Sequence, residues 1–192
     1  MSAFNLPNLV TLSRIVMIPL FVGIFYAPDS WLGLEHKNLA ATMIFVLAAV
    51  TDWLDGWLAR KLNQMSAFGA FLDPVADKML ICASLLVLLE QGRVGALVAL
   101  IIIGREIAIS ALREWMAHIG ASRSVAVHML GKLKTVAQMV AIPFLLYDGR
   151  LLGIVDTRFW GTWLMVLAAV LTIWSMVYYL RKAVPEIRAK AQ

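Results

Sequence analysis

The chain has 192 residues, of which 61% are hydrophobic and only 15% are charged. Its mean hydropathy of +0.81 excludes an ordinary soluble domain and is typical of an integral membrane protein. The formal net charge is +5 at pH 7, and the basic residues do not form a soluble basic module. This charge therefore indicates anionic lipid head groups or a phosphorylated substrate, and not nucleic acid.

Six apolar runs follow one another along the sequence, and each predicts a membrane-spanning helix. A hydrocarbon layer about 30 Å thick needs about 20 helical residues, so the shorter helices are expected to extend into their polar neighbours. Before the first run, Asn8, Thr11 and Arg14 are interspersed with leucines, which predicts a short amphipathic helix at the membrane interface. The runs are 9–27, 39–58, 75–89, 94–116, 136–147 and 159–180.

The predicted fold class is an all-α integral membrane protein with six transmembrane helices preceded by the short amphipathic interfacial helix. Neither a repeat nor a long linker divides the sequence, so we expect a single domain over residues 1–192. Residues 1–14 lack a basic region followed by a cleavage site, and the first helix is expected to be retained.

The charges in the connections predict the orientation in the membrane. The connections after the first, third and fifth runs carry four basic and five acidic residues. The other basic residues lie at the N-terminus, around 60–78, within 105–134 and in the tail 181–190. Positive charge accumulates on the cytoplasmic side, so we expect both termini and the connections after the even-numbered runs to lie there.

Four aspartates lie near the ends of the second and third runs. Each costs roughly 2.5–3.5 kcal/mol at a bilayer centre, so a cationic partner is expected. Residues three or four apart share a helix face, which places Asp52 with Asp55 and Asp73 with Asp77. If residues 63–71 include the turn of a helical hairpin, the two pairs face each other. Converging hard oxygen ligands suit Mg²⁺ or Mn²⁺.

The acidic cluster also permits two alternatives to a metal site. The carboxylates could simply pair with Arg60 and Lys78, although four acids exceed two bases. A cation or proton transporter also lines its path with paired acids, but its site is expected near the bilayer midplane. These acids lie toward one face of the membrane.

The spacing of the acidic residues resembles a family signature. The string D-x-x-D-G-x-x-A-R begins at Asp52, and after eight residues G-x-x-x-D-x-x-x-D ends at Asp77. All eight fixed positions match the CDP-alcohol phosphotransferases. The resemblance implies a homodimer with six transmembrane helices and a cytoplasm-facing cavity, where a CDP-activated lipid meets an alcohol. It also implies a bacterial cytoplasmic (inner) membrane protein.

The same resemblance assigns roles to individual residues. It implies two divalent ions, Mg²⁺ or Mn²⁺, held by Asp52, Asp55, Asp73 and Asp77. Asp77 is also the candidate general base. The residues expected around the CMP moiety of the CDP-lipid are Asn8, Thr11, Gly56, Ala59, Arg60, Ser66 and Gly69. Helix capping or solvation remains an open alternative for the polar side chains of this set.

Three further stretches resemble the members of the family that transfer a phosphatidyl group from CDP-diacylglycerol to sn-glycerol 3-phosphate. They are N-L-P-N-L-V-T-L-x-R from Asn5, G-R-E-I from Gly104 with R-E-W from Arg113, and G-K-x-K-T from Gly131. Inositol phosphate or another alcohol is the alternative acceptor.

The basic residues of these stretches fit a phosphorylated acceptor. Arg105 and Arg113 lie eight residues apart, roughly on one helical stripe, and buried arginines need an anion. Glu106 and Glu114 could neutralise them, whereas no nearby acid in the sequence balances the lysines. Ordinary positive-inside charge also accounts for the lysines. The candidate acceptor-binding residues are Arg105, Arg113, Lys132 and Lys134.

Overall fold

A computed structural model describes residues 6–61, 66–118 and 129–190. These residues form six helices and one short antiparallel hairpin. The helices are α1 Leu6–Tyr26, α2 Leu34–Lys61, α3 Ala67–Glu90, α4 Ala96–His118, α5 Met129–Tyr147 and α6 Thr157–Lys190. The strands β1 Arg150–Leu151 and β2 Val155–Asp156 pair between α5 and α6.

Each of the six predicted runs coincides with its own helix, apart from one residue at the end of the first run and two at the start of the fourth, which confirms the all-α prediction. In the described ranges, three segments are long and apolar enough to cross a membrane: Asn8–Tyr26, Leu34–Leu54 and Thr157–Lys182. The apolar part of α5, Leu133–Tyr147, is shorter. Charged residues interrupt α3 and α4. Large apolar side chains such as Trp163 are exposed on the outside of the helices, as expected for contact with lipid.

The predicted interfacial helix at the N-terminus is not a separate element. α1 runs without a break from Leu6 to Tyr26, and the first span begins within it. Asn8, Thr11 and Arg14 are buried, whereas the side chain of Leu9 is 57% exposed. The prediction of a separate short helix before the first span was wrong, because its polar residues belong to α1, where Thr11 and Arg14 contact α3 and α2.

α2 and α3 pack only slightly against each other, less than the expected helical hairpin would require. α1 packs against both of these helices, which contact each other much less. α5 packs against α6 and α2, and α4 packs against α6. At Gly161 of α6, an added Cβ atom would lie 2.8 Å from the Cγ atom of Leu145, so α5 and α6 approach closely here. The acidic ends of α2 and α3 therefore meet across α1.

Arg93, in the connection between α3 and α4, joins three parts of the bundle. Its Nη1 atom donates to the carbonyl oxygens of Leu145 and Leu146 at 3.0 and 2.8 Å. Its Nη2 atom donates to Asn38 Oδ1 at 2.8 Å, and Nε lies 3.2 Å from Asp148 Oδ2. Burial lowers the pKa of the Arg93 guanidinium, and the Asp148 carboxylate opposes this shift. A buried cation thus satisfies the last carbonyl groups of α5.

We predict that Arg93→Ala lowers the free energy of unfolding by about 3 kcal/mol, because it leaves buried acceptors without a donor. Thermal unfolding of the purified protein in detergent measures the loss. The control is Arg158→Ala, which removes an exposed ion pair of 3.6 Å with the same Asp148. The control is expected to cost less than about 1 kcal/mol. Equal losses in the two variants would contradict the assignment.

Candidate active site

Arg14 of α1 joins the acidic ends of α2 and α3. Its Nη1 atom donates to Asp52 Oδ1 at 2.9 Å and to Asp77 Oδ1 at 2.7 Å. Arg14 is fully buried, whereas the side chains of Asp52 and Asp77 are 38% and 47% exposed. Arg14 therefore supplies the cationic partner that the sequence required, while both carboxylates stay accessible to a ligand.

Thr11 anchors the third described aspartate. One turn of α1 before Arg14, its Oγ1 atom donates to Asp73 Oδ1 at 2.7 Å. Asp73 and Asp77 are themselves one turn apart on α3, so two adjacent turns of α1 hold two adjacent turns of α3. Sequence reasoning noted Arg14 only as part of an amphipathic segment. The signal for its role was available, since an arginine within a membrane protein needs an anion.

The oxygen donors of this cluster fit a hard divalent cation. Asp52 and Asp77, from two helices, converge on one positively charged group. Carboxylate oxygens are the ligands that Mg²⁺ and Mn²⁺ prefer. Among the side chains that the structure describes, no three acids, histidines or cysteines form a metal-binding group. The Asp55 side chain lies outside the described residues, as do those of Ala59, Arg60 and Lys132.

Three residues of the predicted nucleotide set come together at the start of α3. Ser66 is the N-cap of this helix, and its Oγ atom accepts from the backbone N–H of Gly69 at 2.9 Å. The same Oγ donates to Asn8 Oδ1 at 3.0 Å. An added Cβ atom at Gly69 would lie only 2.5 Å from Asn8 Oδ1. The helix-cap alternative is thus correct for Ser66, and a side chain at Gly69 would displace the side chains of Asn8 and Ser66. Gly56 lies on α2 and is partly exposed.

A second cluster, of basic residues, lies on α4 and α5. Arg105 is buried, with Nη1 at 3.4 Å from Glu106 Oε1 and Nη2 at 3.5 Å from Ser175 Oγ. Lys134 is also buried and forms an ion pair with the same Glu106 oxygen. The prediction that no nearby acid balances Lys134 was therefore wrong. Glu106 reaches Lys134 from another helix, 28 residues away in sequence.

Tyr179 of α6 lies between the two arginines of this cluster. The guanidinium carbons of Arg105 and Arg113 lie 5.7 and 5.4 Å from its ring centre. Arg113 Nη2 also lies 3.3 Å from the Tyr179 hydroxyl oxygen, to which it donates. A ring face stabilises such cations without neutralising them. Among the described residues, Arg105 and Lys134 thus contact the same carboxylate, Glu106, whereas the described contacts of Arg113 are with Tyr179. The three cations together retain excess positive charge. Sequence reasoning missed Tyr179 because the aromatic residues of α6 resemble an interfacial belt.

One cleft of about 370 Å³ extends between the acidic and the basic cluster. Its polar lining combines residues of α2 and α3 with residues of α4 and α5. They are Asp52, Asp73, Asp77, Lys78, Glu106, Thr135 and Gln138. The volume is in the range of small-molecule sites. A substrate in this cleft contacts carboxylates at one end and lies beside the ion pairs of Glu106 at the other.

Comparisons with known proteins agree with this geometry. The family model described as CDP-alcohol phosphatidyltransferase matches residues 4–174. A protein of Escherichia coli (strain K12) named CDP-diacylglycerol–glycerol-3-phosphate 3-phosphatidyltransferase is 49% identical over 182 residues, which cover 94% of this chain and 95% of that protein. Proteins with the same name from Escherichia coli O157:H7 and Shigella flexneri serotype 5b (strain 8401) show the same identity and coverage. The chain therefore belongs to the CDP-alcohol phosphatidyltransferase family.

Proposed function

We propose that this membrane enzyme transfers the phosphatidyl group of CDP-diacylglycerol to sn-glycerol 3-phosphate and releases CMP. The product is phosphatidylglycerophosphate, a precursor of phosphatidylglycerol and cardiolipin. The observation that carries the proposal is the single cleft between Asp52, Asp73 and Asp77 and the Glu106 ion pairs. The 49% identity to relatives named for this reaction supports the same acceptor.

The proposal includes an arrangement in the membrane. All six helices cross a bacterial inner membrane, both termini and the cleft face the cytoplasm, and residues 1–192 form one domain. The distribution of basic residues supports this orientation. A homodimer is carried over from the family resemblance alone.

The acidic cluster is proposed to hold two divalent ions, Mg²⁺ or Mn²⁺, through Asp52, Asp55, Asp73 and Asp77. When bound, the ions supply positive charge that stabilises the diphosphate as CMP leaves. Arg14 orients Asp52 and Asp77 from α1, and Thr11 orients Asp73. These contacts hold the carboxylates in position before the substrate arrives, which reduces the reorganisation needed during the reaction.

The CDP part of the donor is proposed to lie where α1 meets the start of α3. Asn8, Ser66 and Gly69 form one hydrogen-bonded unit there. Gly69 allows the close approach of the two helices, and Thr11 continues the same face of α1. The remaining proposed donor-binding residues, on α2, are Gly56, Ala59 and Arg60.

The acceptor is proposed to lie across the cleft with its phosphate toward the basic cluster. Arg105, Arg113 and Lys134, with Lys132, bind the phosphate. Asp77 accepts the proton of the primary hydroxyl group, whose oxygen attacks the phosphorus bonded to diacylglycerol. The bond from that phosphorus to the CMP oxygen breaks. Within the described lining of the cleft there is no serine, cysteine or histidine nucleophile, which favours a single displacement.

The proposed function is tested by CMP release from CDP-diacylglycerol by the purified protein in detergent with Mg²⁺. Glycerol 3-phosphate, inositol phosphate, inositol and serine are added separately. We expect release with glycerol 3-phosphate alone, loss of release in excess chelator, and recovery with Mg²⁺ or Mn²⁺. Release with a different acceptor would support phosphatidyl transfer from CDP-diacylglycerol and refute the assignment of glycerol 3-phosphate as the acceptor. No release with any acceptor would refute the function.

We predict that Asp77→Asn lowers the rate of CMP release by at least about 100-fold, because it removes a general base. The asparagine side chain keeps the volume and an oxygen for Arg14, and the carboxylate of Asp52 still compensates the charge of Arg14, so the thermal unfolding temperature is expected to change little. Asp156→Asn is the control. This exposed residue accepts from the backbone N–H of Phe159 at 2.9 Å, and an asparagine oxygen serves equally well. A wild-type rate of CMP release by Asp77→Asn would refute the role of Asp77 as the general base.

We predict that Gly69→Ala raises the KM for CDP-diacylglycerol by about tenfold, because the new methyl group displaces Asn8 and Ser66. The matched control is Gly104→Ala on α4, where no atom lies within 4 Å of the added Cβ. This control is expected to keep wild-type kinetics. Steady-state rates over a range of CDP-diacylglycerol concentrations distinguish the two. Similar kinetics of both variants and the wild type would contradict the donor site.

A further inference from the structure

Gln138 is a buried polar residue of α5 that neither the acidic nor the basic cluster includes. It is 3% exposed and lines the cleft together with Asp77 and Glu106. It follows Lys134 by four residues, so the two side chains lie on the same face of α5. Gln138 is thus one helical turn from a residue proposed to bind the acceptor phosphate.

The amide nitrogen of Gln138 lacks a hydrogen-bond acceptor. Within residues 6–61, 66–118 and 129–190, its Nε2 atom is buried and has no partner. A buried amide N–H without an acceptor destabilises a folded protein, so such groups are nearly always paired. By contrast, Lys134 Nζ and the two Nη atoms of Arg105 have described partners. The Gln138 amide therefore requires an acceptor that the described residues do not supply.

The chemistry of the acceptor indicates which oxygen fits this amide. Glycerol 3-phosphate carries a phosphate, a reacting primary hydroxyl group and a secondary hydroxyl group between them. The phosphate suits the cationic side chains, and the primary hydroxyl group suits Asp77. A neutral amide suits a neutral oxygen, and the secondary hydroxyl group is the one that remains.

We propose that Gln138 is a specificity-determining residue whose Nε2–H group donates a hydrogen bond to the 2-hydroxyl oxygen of the acceptor in the cleft. This inference rests on the proposed function, since it assumes that glycerol 3-phosphate lies between Asp77 and Lys134. Cationic residues bind any phosphorylated alcohol of suitable size. Gln138 then distinguishes acceptors by the hydroxyl group beside the reacting carbon, because an acceptor without it leaves the buried amide unpaired.

The test compares sn-glycerol 3-phosphate with 3-hydroxypropyl phosphate, which lacks only the 2-hydroxyl group. CMP release is measured with both acceptors for the wild type and for Gln138→Met, which keeps the side-chain length but has no N–H. The wild type is expected to prefer glycerol 3-phosphate by about tenfold in kcat/KM. The variant is expected to reduce this preference to about twofold or less, chiefly by losing activity with glycerol 3-phosphate.

Two further variants complete the experiment. Gln91→Met, in the connection after α3, is the matched control and is expected to keep the full preference. Gln138→Asn retains an amide but withdraws it by one methylene group, so it is expected to lose the preference as well. If thermal unfolding shows that Gln138→Met does not fold, Gln138→Asn takes its place as the test variant.

The outcomes separate the inference from the function on which it rests. An active Gln138 variant that retains the wild-type preference overturns the role of Gln138 alone. A wild type that uses both acceptors equally does the same. Absence of CMP release from the wild type with glycerol 3-phosphate refutes the proposed function, and the inference with it.

Discussion

The contact of Arg14 with both Asp52 and Asp77 is the interaction on which the arrangement of the first three helices depends. A fully buried guanidinium is costly unless anions surround it, and carboxylates within a membrane protein are costly without a cation. Each group therefore compensates the other. Removal of one partner would leave a charge uncompensated, so the contact fixes α1 between α2 and α3. The same contact brings the acidic ends of two consecutive helices to one cleft.

The opposite charges at the two ends of the cleft explain how the two proposed substrates would be oriented. The carboxylates of Asp52, Asp73 and Asp77 suit divalent ions and the diphosphate that such ions neutralise, whereas Arg105, Arg113 and Lys134 suit a free phosphate. Glu106 and Tyr179 hold these cations within a membrane protein without cancelling all of their charge. In the proposed reaction, this separation of charge orients an acceptor that carries both a phosphate and a hydroxyl group, with its hydroxyl group toward Asp77.

The sequence predicted the elements of this fold better than their contacts. Apolar runs predict helices because burial in lipid requires them, and every predicted run corresponds to one helix of the structure to within two residues at the ends that extend beyond it. The partners of Arg14 lie 38 and 63 residues away, and no local pattern identifies such pairs. The separate interfacial helix was predicted wrongly for the same reason, since polar residues on an apolar helix suit head groups and the carboxylates of neighbouring helices equally. Spacing alone did place Asp73 and Asp77 on one face.

The spacing of the polar residues in α1 explains why the acidic signature needs this helix. Asn8, Thr11 and Arg14 recur every three residues and form one stripe. Along that stripe, Asn8 contacts Ser66, Thr11 contacts Asp73, and Arg14 contacts both Asp52 and Asp77. Each turn of α1 therefore fixes a different part of the motif that runs from residue 52 to residue 77. The signature on α2 and α3 supplies the aspartates that are proposed as metal ligands, but their relative position depends on a third helix outside the signature.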